Sequence, residues 1–153
     1  MHKILFICHG NICRSPMAEM IMKELVRREG LEDNITIASC ATSTEELGNP
    51  VYPPSRAELA RHGIPCEKRG ARQLIRRDYE DYDLLVCMDV WNVRNTLRIT
   101  GGDPQGKVHK LLEYAGRADD VDDPWYSGRY DIAYKDIFEG CQALLDAVLE
   151  GRA

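Results

Sequence analysis

Residues 4–16 read Ile-Leu-Phe-Ile-Cys-His-Gly-Asn-Ile-Cys-Arg-Ser-Pro, and this stretch decides the fold. The apolar run over residues 4–7 predicts a buried strand that ends at Cys8. Pro16 suits the first turn of a helix, because that position needs no N–H partner and the proline φ is already helical. The stretch therefore predicts a strand, a short loop over residues 8–14 and a helix that begins near Ser15.

The predicted loop has the residue types that bind an oxyanion above a thiolate. The unpaired N–H groups and the positive dipole end of the helix point toward the loop. Gly10 and Asn11 tolerate a positive φ, which allows successive amides to face one anion. The same environment favours the thiolate of Cys8, and Ser15 can donate to its sulfur. Arg14 offers a planar fork of donors that matches two phosphoryl oxygens.

The segment from Ile7 to Pro16 resembles the signature loop of the low molecular weight protein tyrosine phosphatases. A second motif, Asp122-Asp123-Pro124-Trp125-Tyr126, resembles the acid loop of that family. Residues 41–43, 48–50, 63–65 and 71–73 follow in the family's order, so the resemblance covers essentially the whole chain. It implies a flavodoxin-like three-layer α/β sandwich with a four-stranded parallel sheet and helices on both faces. It also implies a protein tyrosine phosphatase that acts through a cysteinyl-phosphate and needs no metal or cofactor.

The chemistry assigns roles to three catalytic residues, Cys8 as nucleophile, Arg14 as phosphate ligand and Asp123 as general acid and base. An in-line attack by Cys8 requires an acid on a separate loop that faces the leaving oxygen. Asp122 is the alternative acid. The predicted substrate-binding residues are His9, Gly10, Asn11, Ile12, Cys13, Ser15, Glu45, Trp125 and Tyr126.

Several of these residues have a second interpretation. Trp125 and Tyr126 are either walls for a flat aryl ring or ordinary packing residues. Cys13 is either a small packing residue or the partner of Cys8 in a reversible protective disulfide. Glu45 stands where many family members have an aromatic residue, which predicts an acidic wall. Arg69 stands where some members have a histidine that orients the signature loop through Ser15, so that support is either missing here or supplied differently.

The rest of the chain alternates strand and helix patterns, as expected for a parallel sheet with both faces covered. The pattern predicts strands at 3–8, 35–38 and 84–88, and the resemblance implies a fourth strand within 108–114. It predicts helices from about 15 to Gly30, over 55–62, over 89–100 and over 134–148. Residues 50–54 are predicted as a loop.

Length and composition limit the class of protein. A chain of 153 residues predicts one domain over residues 1–153. With 25 acidic and 20 basic residues, nucleic acid and anionic membranes are not expected partners. The expected ligands are a tyrosine-phosphorylated protein and inorganic phosphate or another oxyanion, bound by a monomer. No signal-peptide pattern or apolar stretch of about 18 residues occurs, so we expect a cytoplasmic protein with its six cysteines reduced.

Two other functions compete with the phosphatase. Thioredoxin-coupled arsenate reductases share the fold and a similar loop, but they relay oxidation through a further pair of cysteines. Only Cys87 lies at a suitable distance downstream, and it falls inside a strand pattern. A non-catalytic phosphate-binding module is the remaining alternative, and it requires that Cys8 is not a thiolate at working pH.

Overall fold

A computed structural model describes residues 2–153 and contains one parallel sheet of four strands. The strands are β1 (His2–Cys8), β2 (Ile35–Ala41), β3 (Leu84–Cys87) and β4 (Val108–Lys110). Their spatial order is β2-β1-β3-β4, so β1 lies in the middle and pairs with β2 along its whole length, from His2 opposite Ile35 to Cys8 opposite Ala41. The prediction of a four-stranded parallel α/β sheet is confirmed.

Alternation along β1 divides the core into two layers. Ile4, Phe6 and Cys8 point to one face, where they join a large apolar cluster. Leu5 and Ile7 point to the other face and join a smaller cluster. Because both faces of the central strand are buried, its sequence is continuously apolar rather than alternating.

Helices cover both faces of the sheet, as predicted. The larger cluster is covered by α1 (Arg14–Arg28), α2 (Pro53–Arg61) and α6 (Tyr130–Leu149). The smaller cluster is covered by α3 (Asp78–Asp81) and α4 (Val90–Thr100). The short helix α5 (Pro124–Ser127) lies in the loop between β4 and α6. Among residues 2–153, no helix is long and apolar enough to cross a membrane.

Two helices begin earlier than the sequence pattern indicated. Helix α2 starts at Pro53 rather than Ser55, because prolines are accepted in the first turn, where their N–H is not needed. Helix α6 starts at Tyr130 rather than Tyr134, because Tyr130 and Ala133 continue the apolar face of the helix. The assignment of Pro53 and Pro54 to a loop was therefore wrong.

The fourth strand is shorter than the ambiguous segment that was expected to contain it. Strand β4 ends at Lys110, and a 3-10 helix follows over Leu111–Ala115. Leu111 and Leu112 are both buried within this 3-10 helix, where they join the larger apolar cluster. Strand β2, in contrast, extends three residues beyond the predicted Ala38, to Ala41.

Candidate active site

The loop between β1 and α1 surrounds the sulfur of Cys8. The N–H groups of Asn11 and Ser15 point at Cys8 Sγ from 3.3 and 3.4 Å, and the hydroxyl of Ser15 lies 3.0 Å from it. Ser15 Oγ accepts a hydrogen bond from Asn11, and its single hydrogen lies between two acceptors, Cys8 Sγ at 3.0 Å and the carbonyl of Cys40 at 3.4 Å. Two N–H groups and this hydroxyl therefore surround Cys8 Sγ, and donors in this arrangement stabilise negative charge on a sulfur.

Asn11 holds this loop in shape from behind. Its φ is 58°, the one positive φ of a non-glycine residue within residues 2–153, whereas Gly10 does not need one. The Asn11 amide donates to Ser15 and Ser39 at 2.8 and 2.9 Å, and its Oδ1 accepts the N–H of Arg72. Asparagine tolerates the left-handed conformation better than other non-glycine residues do, and it also has a side chain that can form these bonds.

Arg14 is buried at the first position of α1, with an exposed fraction of 2%. Its Nη1 donates to Asp89 Oδ2 at 2.8 Å and to the carbonyl of Val121 at 3.0 Å, while Nη2 lies 3.5 Å from Asp123 Oδ2. Burial alone lowers the pKa of an arginine, but the charges of Cys8, Asp89 and Asp123 outweigh it and raise the pKa of Arg14. The guanidinium is therefore a fixed positive charge between the sulfur and the acid loop.

Asp123 faces the pocket, and Asp122 does not. Asp123 is the N-cap of α5, where its Oδ1 accepts the N–H of Trp125 at 3.1 Å and its Oδ2 points to Arg14. Asp122 turns away and accepts hydrogen bonds from Ser127 and from Arg129. The Ser127 bond, with the help of Arg129, lowers the pKa of Asp122, which disfavours this carboxyl group as a proton donor.

A pocket opens above the Cys8 sulfur. All predicted site residues except Asn11 and Ser15 line it, and the sequence did not indicate one further lining residue, Glu46. The lining consists of Cys8, His9, Gly10, Ile12, Cys13, Arg14, Glu45, Glu46, Asp123, Trp125 and Tyr126. Glu45 and Glu46 give part of this lining an acidic character, and Trp125 and Tyr126 form another part of it.

The whole chain was compared with known proteins. Residues 3–152 match the family model described as low molecular weight phosphotyrosine protein phosphatase. The chain belongs to this family. Low molecular weight protein-tyrosine-phosphatase YfkJ of Bacillus subtilis is 35% identical over 150 residues, with 97% of this chain and 96% of that protein covered. Low molecular weight phosphotyrosine protein phosphatase of Rattus norvegicus is 36% identical over 150 residues, with coverages of 94% and 93%. The crystal structure of Bacillus subtilis YfkJ superposes with a TM-score of 0.95 at 34% identity and covers 100% of this chain and 98% of that one.

Arg69 supports the signature loop where some low molecular weight phosphatases have a histidine. Its Nη2 donates to the carbonyl of Asn11 at 2.5 Å, and its Nη1 donates to the carbonyl of Asn49 at 3.4 Å. The loop is thus held through its backbone by a guanidinium. This observation answers the question that the sequence left open at this position.

Cys13, inside the family's signature loop, is a free thiol in the structure. Burial raises the pKa of Cys13 to about 11, although the neighbouring Ser55 and Tyr130 hydroxyls oppose the shift. Its side chain lines the pocket and belongs to a small apolar cluster with Ile12 and Ala71. Its place in this cluster fits the packing role, and the reversible disulfide with Cys8 stays a prediction.

Three side chains that support the site were not predicted from the sequence. Asp89, which binds Arg14, was assigned only to a helix start, although a carboxylate directly after a central parallel strand is a recognisable signal. Ser39 lies within the extension of β2 that the pattern did not indicate. Tyr52, whose ring centroid lies 4.9 Å from that of Trp125, had no signal in the sequence because it lies in an irregular segment.

Proposed function

We propose that the protein is a single-domain protein tyrosine phosphatase that hydrolyses phosphotyrosine and small aryl phosphates through a cysteinyl-phosphate on Cys8. The observation that carries the proposal is the convergence of the Cys8 sulfur, the Arg14 guanidinium and the Asp123 carboxyl group on one pocket. Membership of the family and the names of its relatives support the same reaction class.

In the first step, the Cys8 thiolate attacks phosphorus, an S–P bond forms and the P–O bond to the phenol breaks. The leaving oxygen takes its proton from Asp123, which overhangs the sulfur from the acid loop. The phosphoryl oxygens bind the loop N–H groups and the Arg14 fork, and the N–H groups of Asn11 and Ser15 already point at the sulfur. Asp123 is well placed for this transfer, because the hydrogen bond from the Trp125 N–H fixes its side chain.

In the second step, the ionised Asp123 accepts a proton from a water molecule that attacks the phosphorus of the cysteinyl-phosphate. The S–P bond breaks, inorganic phosphate forms and Cys8 leaves as a thiolate. The hydrogen bond from Ser15 stabilises this leaving thiolate, since the Ser15 hydroxyl lies 3.0 Å from the sulfur. No other reactant is needed, and the enzyme returns to its starting state.

The proposed substrate is a tyrosine-phosphorylated protein in the cytoplasm. Aromatic side chains at the pocket mouth support an aryl ester, because Trp125 packs against Tyr52 and leaves part of its ring exposed toward the pocket. We propose that a monomer is sufficient for catalysis, because a single chain supplies the nucleophile, the phosphate ligand and the acid.

Release of phosphate from p-nitrophenyl phosphate in the presence of EDTA tests the proposal. We expect turnover by the natural protein, none by Cys8→Ser and a loss of about 10²–10⁴-fold in Asp123→Ala. Asp122→Ala is the matched control, and it is expected to lose far less activity because Asp122 faces away from the pocket. Equal losses in the two aspartate variants, or full activity in Cys8→Ser, contradict the assignment.

The reductase alternative is not favoured by the position of Cys87. This thiol lies within β3 with no exposed surface, its sulfur is 3.5 Å from the Thr96 hydroxyl, and burial raises its pKa to about 12. A relay to Cys8 requires a mobile and ionisable thiol. Thiol-dependent turnover of arsenate without any phosphate release from aryl phosphates is the result that supports the reductase instead.

A further inference from the structure

The pocket combines a cationic floor with an acidic wall. Its floor contains the Arg14 guanidinium and the Cys8 sulfur, to which the N–H groups of Asn11 and Ser15 are directed. Its wall includes the carboxylates of Glu45 and Glu46. A phosphoryl group is attracted to the floor, whereas the wall repels negative charge and attracts positive charge. The wall therefore acts on a part of the substrate other than the phosphate.

The two wall carboxylates make few contacts with other side chains of the protein. Glu45 pairs with the His9 ring at 2.9 Å, and its side chain is 68% exposed. Glu46 accepts from the uncharged amide of Asn49. Within residues 2–153 neither carboxylate pairs with a lysine or an arginine, in contrast to Glu19, Glu58 and Asp78. The Glu46 carboxylate is thus available to a bound cation, and a cation at Glu45 has only the His9 ring to displace.

The wall is fixed relative to the floor. The N–H of Ser43 donates to the carbonyl of His9 at 3.1 Å, which joins the wall loop to the signature loop. Gly10 approaches Glu46 so closely that a Cβ at Gly10 would lie 3.5 Å from Glu46 Cγ. Carboxylates on a loop that is held beside the phosphate site can attract or repel the residues that flank the phosphorylated side chain.

We propose that Glu45 and Glu46 make the enzyme select phosphotyrosine segments with a lysine or arginine beside the phosphotyrosine and reject segments with an aspartate or glutamate there. This inference rests on the proposed phosphatase activity and names its substrate class. When the phosphoryl group occupies the floor, the main chain of the substrate leaves the pocket at the rim, where the wall carboxylates are exposed. The flanking side chains then lie near Glu45 and Glu46.

The test compares two phosphotyrosine peptides that differ only in their flanking residues, lysine in one and aspartate in the other. The readout is the ratio of kcat/KM for the lysine peptide to that for the aspartate peptide. We expect a ratio of about 5–30 for the natural protein at low salt, with a fall toward one at 0.5 M NaCl because salt screens exposed charges. We expect Glu45→Gln combined with Glu46→Gln to bring the ratio close to one, and Glu45→Lys to bring it below one.

Glu32→Lys is the matched control. It makes the same change in net charge as Glu45→Lys, but Glu32 is exposed just before β2 begins, at the opposite end of the sheet from the pocket. The lysine-to-aspartate ratio of kcat/KM of the Glu32→Lys variant is expected to equal that of the natural protein. Two results overturn the inference: equal lysine-to-aspartate ratios of kcat/KM in Glu45→Lys and Glu32→Lys, or a ratio near one in the natural protein. If both peptides are still hydrolysed in that case, the proposed phosphatase activity stands. If the natural protein hydrolyses neither peptide, the proposed function itself fails.

Discussion

At the scale of single residues, the site depends on side chains that satisfy two demands at once. Asn11 adopts a left-handed backbone and also bonds to Ser15, Ser39 and the N–H of Arg72. Asp123 caps a helix with one oxygen and faces Arg14 with the other. A glycine would satisfy only the first demand on Asn11, and it would leave several buried donors and acceptors without partners.

The raised pKa of Cys13 predicts that this thiol resists alkylation in the folded protein at neutral pH. Thiolates react with iodoacetamide and thiols do not, so a thiol with a pKa of about 11 stays protonated and unreactive at pH 7 and reacts only as the pH approaches 11. We expect less than about 1% of the labelling rate of a free thiol at Cys13 in folded Cys8→Ser protein at pH 7. Mass spectrometry of the Cys13 peptide measures the rate, and the urea-denatured protein is the control. Labelling at the same rate in both samples contradicts the prediction.

The sequence predicted the proximity of Cys8, Arg14 and Ser15 because their motif is local, but it predicted the supports of this loop less well. Cys8, Arg14 and Ser15 lie within eight consecutive positions, so strand and helix signals were enough to bring them together. Asp89 reaches Arg14 from a distance of 75 residues along the chain, and Arg69 reaches Asn11 from 58. Such contacts depend on the packing of loops after parallel strands, which periodicity does not describe.

At the scale of elements, the contact between the 3-10 helix and α6 shows why one segment resisted prediction. Leu111 packs directly on Gly140, which lies in the middle of α6. A glycine in a helix is unfavourable by about 1 kcal/mol relative to alanine, so its presence there has a packing reason. The buried Leu111 side chain needs the space that a Cβ would occupy, and this close approach cannot be read from either segment alone.

Gly140→Ala is expected to destabilise the protein despite the better helix propensity of alanine. A Cβ at this position would lie 2.5 Å from Leu111 Cγ, which is closer than real contacts allow. Overpacking of this kind costs about 1–3 kcal/mol, against a gain of about 1 kcal/mol in propensity. Urea unfolding should show a net loss of up to about 2 kcal/mol in the free energy of unfolding.

The double variant Gly140→Ala with Leu111→Ala separates the clash from other effects. When Leu111 is shortened to alanine, the new methyl group at position 140 has space. Gly140→Ala should therefore lower the free energy of unfolding less in the Leu111→Ala background than in the natural protein. We expect the two changes to be coupled by at least about 1 kcal/mol. Strictly additive free energies would show that Leu111 is not the source of the strain.

At the scale of the whole molecule, the loops of the site all lie at the carboxyl ends of the parallel strands. The signature loop follows β1, the wall loop follows β2, Asp89 follows β3, and the acid loop follows β4 and its 3-10 helix. Ligands bind beyond the carboxyl ends of parallel strands for this reason. Residues that are far apart in sequence therefore surround one anion, and the anion in turn should hold the loops together.

Inorganic phosphate is expected to stabilise the fold through this site. At a phosphate concentration ten times its Kd, binding adds about 1.4 kcal/mol, which corresponds to a rise in Tm of about 3–6 °C for a protein of this size. The rise should be absent in Arg14→Ala and smaller in Arg14→Lys, since lysine lacks the planar fork. Differential scanning fluorimetry measures the shift within each variant, with chloride at equal ionic strength as the control. An undiminished rise in Arg14→Ala would place the anion elsewhere.

The bonds that Arg69 makes link the outer segment to the loop around the sulfur. One guanidinium holds the carbonyl of Asn11, in the signature loop, and the carbonyl of Asn49, at the end of the segment that begins with Glu45 and Glu46. A substitution that displaces the Asn49 carbonyl is therefore expected to move Arg69 and, through it, the backbone beside Cys8. Redesign of the outer segment is thus expected to require that this guanidinium keeps both of its acceptors.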